Sequence, residues 1–125
     1  MGMVIKQLSL RGNKGAAKVH ALFDTGASKS LIRRNIAARI GTIVSGRTPW
    51  RFILGDGRKT ITTKEMVSGV FTLKGVSVPH TFIVAPRLFE DLVIGTDIMQ
   101  FWKIRPDPAK EDLVVDKKLI QLKLV

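Results

Sequence analysis

The chain has 125 residues, a formal net charge of +11 at pH 7, 45% hydrophobic residues and no cysteine. That length suits one domain spanning residues 1–125 with a modest core, and the apolar fraction argues against disorder. Missing cysteines exclude disulfides, thiol catalysis and cysteine–zinc sites. The charge is lopsided: residues 1–60 hold 12 Lys and Arg against Asp24 and Asp56. A basic half of this kind suits an acidic partner such as nucleic acid, or a solvated surface. No aromatic residues interleave with the basic ones, which favours the surface and leaves any nucleic-acid binding weak. No apolar run reaches membrane-spanning length, and Met1-Gly2-Met3-Val4-Ile5-Lys6 lacks the build of a signal peptide. Lys6 also stands where a myristoylation pattern wants Ser or Thr. The expected location is therefore intracellular, in the cytoplasm, with no membrane association.

In chain order, Val4–Leu10 reads as a strand, Arg11-Gly12-Asn13-Lys14-Gly15 as a turn and Lys18–Phe23 as a second strand, together a hairpin. Leu31–Ile40 places Ile32, Ile36 and Ile40 on one helical face, with Ser30 as N-cap and Gly41 as stop. Trp50–Leu54 and Lys59–Thr63 flank Gly55-Asp56-Gly57-Arg58, and Asp-Gly between β-prone runs predicts a hairpin. Val67–Leu73 and Val76–Val84 form another pair around Lys74-Gly75. Leu92-Val93-Ile94 reads as a strand buried on both faces, and Asp97–Trp102 as a short helix capped by Thr96 or Asp97. Arg105–Asp112, with two prolines, reads as a loop; Leu113–Val115 and Leu119–Val125 read as closing strands around Asp116-Lys117-Lys118. Many short strands with one or two short helices predict a mostly β fold, a small closed β-barrel.

The segment that carries chemistry is Ala21-Leu22-Phe23-Asp24-Thr25-Gly26-Ala27-Ser28. A carboxylate stands at the end of an apolar strand, followed by a hydroxyl and a glycine that permits a sharp turn. Alone, Asp-Thr-Gly is also an ordinary turn after a strand. Other candidates are weaker. His20 and His80 lack metal-ligand spacing and read as structural or surface residues. Gly55-Asp56-Gly57 is not followed by the Gly-Lys-Ser/Thr of a phosphate loop. Ser28 and Ser30 have no triad partners and read as caps, and Trp50 and Trp102 as core or interface residues.

Three motifs in order set the Asp-Thr-Gly in context. Leu22-Phe23-Asp24-Thr25-Gly26-Ala27-Ser28, Phe52-Ile53-Leu54-Gly55-Asp56-Gly57-Arg58 and Asp91-Leu92-Val93-Ile94-Gly95-Thr96-Asp97-Ile98-Met99 together resemble the retropepsin-like aspartic proteases, the clan of retroviral and retrotransposon proteases. The resemblance implies an acid-protease barrel that works as a homodimer on a peptide or protein substrate, as an endopeptidase, with no metal or organic cofactor. It makes Asp24 the catalytic carboxylate, with Thr25 bonding across the dimer axis and Gly26 offering its carbonyl to substrate. It gives Ala27, Gly55, Asp56, Gly57 and Ile94 to substrate binding, Gly55–Arg58 forming the flap tip and Ile94 and Gly95 passing behind the Asp24 loop. Ser28, Lys29 and Thr96 stand where retroviral members carry acidic residues and an arginine, so the bracing that ion pair provides has to come from other residues.

Two readings from other classes stand beside this one. A degenerate member would keep the dimeric fold and bind peptides without turnover; the intact Asp24-Thr25-Gly26 speaks against it. A basic nucleic-acid-binding β-barrel is suggested by the charge of residues 1–60, and the lack of stacking aromatics speaks against that.

Overall fold

The computed structural model describes residues 3–54, 57 and 59–124. Its elements are β1 (Met3–Arg11), β2 (Ala16–Asp24), β3 (Leu31–Arg33), α1 (Arg34–Ile40), β4 (Val44–Leu54), β5 (Lys59–Leu73), β6 (Val76–Ala85), β7 (Leu92–Ile94), α2 (Thr96–Trp102), β8 (Arg105–Asp107), β9 (Asp112–Val114) and α3 (Lys117–Leu124). The order β1-β2-β7-β3-β6-β5 closes on itself through pairing of β1 with β5, and β4 adds to the outer side of β5. The result is a closed six-stranded barrel with three short helices. Closure hides the backbone edges that an open sheet would leave bare.

Alternation in the sequence builds the wall. Ala17, Val19, Ala21 and Phe23 of β2 are buried in turn, as are Val4, Leu8 and Leu10 of β1. They meet Phe71, Phe82, Leu92, Ile94 and Ile98 in one large core. A smaller apolar cluster, Leu31, Ile61, Ile83, Ala85, Leu88 and Val93, sits apart from it, with Leu22, Ala27, Trp50 and Phe52 half-buried against it.

Four expectations are corrected. The helix over 31–40 begins only at Arg34, because Leu31–Arg33 is a strand set between β7 and β6. Leu31 and Ile32 are both buried, one in each cluster, which a strand between two packed layers achieves and a one-faced helix does not. The loop over 105–112 contains β8 and the start of β9, paired through a single 3-10 turn at Pro108–Lys110. The closing strand over 119–125 is the helix α3 as far as it is described. Asp116 Oδ1 accepts the Leu119 N–H at 3.0 Å, capping the helix, and Ile120 is fully buried in the large core. Lys123 lies over the Phe101 ring, 4.3 Å from its centroid, joining α3 to α2. Finally, α2 starts after an extended Gly95 with no side-chain cap, so neither Thr96 nor Asp97 plays that part.

Among the described residues no helix is long and apolar enough to cross a membrane.

Candidate active site

Asp24 ends β2 in a tight turn. The Gly26 N–H donates to Asp24 Oδ1 at 2.8 Å and the Ala27 N–H donates to the Asp24 carbonyl at 3.1 Å. The carboxylate is thereby held against its own loop instead of swinging free. Asp24 is half-buried, Thr25 and Gly26 are exposed, and Ala27 is half-buried against the small apolar cluster.

A second segment lies behind this turn. β2 and β7 run parallel, with Phe23 opposite Ile94. Beyond that pair the Thr96 N–H donates to the Ala27 carbonyl at 2.8 Å. Gly95 sits so close that a Cβ there would stand 2.7 Å from the carbonyl oxygens of Ala27 and Lys29. Both contacts are backbone, so no flexible side chain could yield to a larger residue.

Ser30 and Asp97 stitch the two segments together. The buried Ser30 hydroxyl donates to Asp97 Oδ1 at 2.7 Å and accepts the Gly95 N–H at 3.0 Å. The Ser30 N–H donates to Asp97 Oδ2 at 3.1 Å, and the Ser30 carbonyl accepts from Ile83 on β6 at 3.1 Å. His80 Nε2 lies 3.3 Å from Asp97 Oδ2, its ring edge-on to Phe82. Burial works against the Asp97 charge. Hydrogen bonds from His80, from the Ser30 hydroxyl and N–H and from the Ile98 N–H outweigh it, so the carboxyl lies below the ordinary aspartate value. This network ties the Ser30 segment to β7, α2 and β6 behind the Asp24 turn.

A parallel clamp holds the loop after β6. Arg33 pairs with Asp91 and donates to the Phe89 carbonyl at 2.9 Å, while Asp91 Oδ2 accepts the His20 N–H at 3.0 Å.

Above the small cluster, β4 and β5 form a two-stranded ribbon. Its cross-strand pairs Phe52–Ile61 and Trp50–Thr63 turn one face toward Leu22, Ala27 and Val93. The half-buried Leu22, Ala27, Trp50 and Phe52 thus pack on that cluster, Leu22 and Ala27 flanking Asp24 in sequence. Gly57, at the ribbon's turn, has φ +78, a left-handed conformation that glycine adopts without strain. Gly55, Asp56 and Arg58 lie outside the described residues. Ile94 faces the large core and is fully buried, opposite Phe23 and so behind the Asp24 loop; its neighbour Val93 is the β7 side chain in the small cluster.

Sequence reasoning gave Ser30 a different task and Asp97 none at the site. The available signal was a serine at the mouth of an apolar run and an aspartate two residues past the Ile94-Gly95 step, each a polar residue where burial demands a partner. Among the described residues no group of three His, Asp or Glu side chains could hold a metal ion. An open groove on the outer face of β5 and β6, lined in part by Arg11, Val44, Met66 and Pro79, shares no residue with the Asp24 turn.

A family model described as aspartyl protease matches residues 8–98, which include the turn, the brace and the ribbon. The chain belongs to the aspartyl protease family. Its fold is retropepsin-like. The retroviral protease-like domain of Ddi1 from Leishmania major superposes with a TM-score of 0.65 at 24% identity, covering 94% of this chain and 90% of that one. EIAV protease, in complex with the inhibitor HBY-793, superposes with a TM-score of 0.58 at 19% identity, covering 78% of this chain and 85% of that one. At these identities the aspartyl protease likeness to both is one of fold. No curated protein sequence matches this chain.

Proposed function

We propose that the protein is an aspartic endopeptidase whose catalytic dyad forms when two copies bring their Asp24 side chains together. The observation that carries this reading is the Asp24 turn itself: a carboxylate oriented by the Gly26 N–H, backed by Gly95 and flanked by the half-buried apolar Leu22 and Ala27. Peptide hydrolysis of this type needs two carboxylates that share one proton. A single Asp-Thr-Gly supplies half, and a two-fold axis supplies the rest through an isologous interface.

In that arrangement the ionised Asp24 takes a proton from water as the water attacks the scissile carbonyl. The protonated Asp24 of the second copy donates a hydrogen bond to the carbonyl oxygen, where negative charge develops. Thr25 bonds across the axis and fixes the separation of the two turns. The Gly26 carbonyl holds the substrate backbone. Ala27, Leu22 and Val93 form the floor under a substrate side chain, and the ribbon bearing Trp50 and Phe52 acts as the flap, with Gly57 at its turn. Closing it would exclude water from the reaction.

Asp24→Asn is the direct test. The variant keeps the size and the turn but removes the acid–base pair, so peptide hydrolysis should fall by several orders of magnitude while the β-rich circular dichroism stays unchanged. Near wild-type cleavage by Asp24→Asn would remove the reading, and a folded wild-type dimer that binds peptides without turning them over would replace it with the non-catalytic one.

A further inference from the structure

We propose that His80 is a positioning residue for the reaction, holding the Asp24 turn in place through Asp97. This deepens the protease reading and rests on it for the role of Asp24.

His80 stands where the fold asks for an apolar side chain. On β6, Val76, Val78, Phe82 and Val84 are buried in the large core at alternate positions, and His80 falls in the same phase. Its partner across the ladder on β5 is Gly69, which puts no side chain opposite the ring. The imidazole packs edge-on to the buried Phe82, with centroids 5.4 Å apart. A leucine would meet the demands of packing there. A half-buried imidazole needs a polar partner as well, and Asp97 Oδ2 supplies it at 3.3 Å. The bond also fixes the tautomer. The Asp97 carboxyl is held below the ordinary aspartate value, so near neutral pH it is ionised and only accepts; Nε2 must therefore carry the hydrogen.

Among the described residues Asp97 accepts from four donors, two on each oxygen. The Ser30 hydroxyl and the Ile98 N–H share Oδ1, and the Ser30 N–H and His80 share Oδ2. Ser30 and Ile98 belong to the two segments being joined; His80 is the donor that comes from the barrel wall. The same strand reaches the other end of the brace, where the Ile83 N–H donates to the Ser30 carbonyl at 3.1 Å. Ser30 and Asp97 are thus both referred to β6, whose register against β5 runs unbroken from Met66–Ile83 to Leu73–Val76. From Asp97 the line to the candidate catalytic carboxylate is short. The Ser30 hydroxyl accepts the Gly95 N–H at 3.0 Å, Gly95 lies against the Ala27 carbonyl, and the Ala27 N–H donates to the Asp24 carbonyl at 3.1 Å. Without His80, Asp97 can shift away from the wall and draw Ser30 and Gly95 with it. The backbone contacts at Gly95 are too tight to absorb that shift, so the Asp24 turn moves as well.

The experiment compares His80→Leu, which fills the position but removes the donor, with His80→Gln, which keeps an N–H at the reach of Nε2. kcat and KM are measured on one peptide at constant dimer content, at a temperature where urea curves show each protein folded. kcat should fall about tenfold in His80→Leu, the order of one charge-assisted hydrogen bond, with KM changed by less than about twofold. His80→Gln should recover most of the loss. Two NMR readouts do not need turnover. The Asp97 carboxyl should titrate at higher pH in His80→Leu than in wild type, because a donor to its charged form is gone. The Gly95 and Gly26 amide signals should shift in His80→Leu and return in His80→Gln. Equal kcat in all three proteins, a His80→Gln as slow as His80→Leu, an unmoved Asp97 titration or an unmoved Gly26 amide each overturns the proposal. If His80→Leu does not fold, the histidine nitrogen shifts of wild type decide: an Nε2–H near neutral pH supports the bond to Asp97, and a bare Nε2 overturns it. No cleavage by the wild type removes the protease reading, and the Gly95 and Gly26 amides then judge by themselves whether His80 holds the Asp24 turn.

Discussion

The Ser30 hydroxyl donates to Asp97 Oδ1 at 2.7 Å, and through this bond the loop after the Asp24 turn is tied to the first turn of α2. Ser30 is 1% exposed, so its polar atoms have no recourse to water. Ser30→Ala leaves the Gly95 N–H and one Asp97 oxygen without this partner and should cost about 1–3 kcal/mol. Urea denaturation measures the loss. Activity should fall further than dilution of folded protein explains, because the turn that orients Asp24 loosens. Unchanged stability would show that the bond carries no weight.

Asp97 predicts an acid limb of stability. Its carboxyl is depressed in the folded protein, so the stabilisation is present above the ordinary aspartate value and is lost as pH falls through the lower, folded value. Wild type should therefore weaken steadily below about pH 4. Asp97→Asn lacks the titrating group, so the difference in urea midpoint between the two proteins should shrink as pH drops from 6 to 2. Asp112, exposed and also depressed by Lys74, the Leu113 N–H and Lys6, titrates in both proteins and cancels in that difference. A constant gap across the range would contradict the assignment.

Gly95→Ala places a methyl 2.7 Å from two backbone carbonyl oxygens. Relief requires β7 and the Asp24 loop to move apart, which should cost about 2 kcal/mol or more. Peptide hydrolysis should drop with it, even at temperatures where the variant remains folded. A variant as active and stable as wild type would mean that the two segments slide past one another easily.

The C-terminal helix separates packing from association. Ile120 is fully buried, so Ile120→Ala should lower stability by about 2–4 kcal/mol. Leu122 is 72% exposed, so Leu122→Ala should stay within about 0.5 kcal/mol in thermal or urea denaturation of the monomer. Reversed magnitudes would show that α3 docks by its other face.

The proposed shared-proton dyad predicts two further dependences. Specific activity should fall on dilution in step with the dimer fraction seen by sedimentation. At constant dimer content, kcat/KM should peak in mild acid, around pH 4 to 6, and decline on both sides. A rate still rising at pH 9, or full activity from a monomer, would rule the mechanism out.

Much of the barrel was legible because alternation dictates it: the buried series Ala17, Val19, Ala21, Phe23 cannot be rearranged without exposing the core. The Asp24 turn was legible because three motifs in order set its Asp-Thr-Gly in context. The errors have a common origin in short apolar segments whose period is ambiguous. Leu31-Ile32 fits a helix face as well as a strand, and only burial on both sides between β7 and β6 decides. Leu119–Leu124 alternates as a strand would, but Asp116 caps it and Ile120 anchors it as a helix. Ser30 before an apolar run reads locally as a cap; its actual partner is 67 residues away. Long-range polar pairing leaves no local pattern.

The barrel joins two broad hairpins, β1–β2 and β5–β6, by narrow seams. The hairpins pair residues near in sequence and can form early, whereas Phe23 meets Ile94, and Ser30 meets Asp97, only after a long loop has closed. The turn bearing Asp24 is thus finished by long-range contacts, which close after the hairpins. A nascent or partly unfolded copy lacks the brace behind its Asp24 turn, so under the proposed mechanism the order of folding itself would delay the formation of a working dyad.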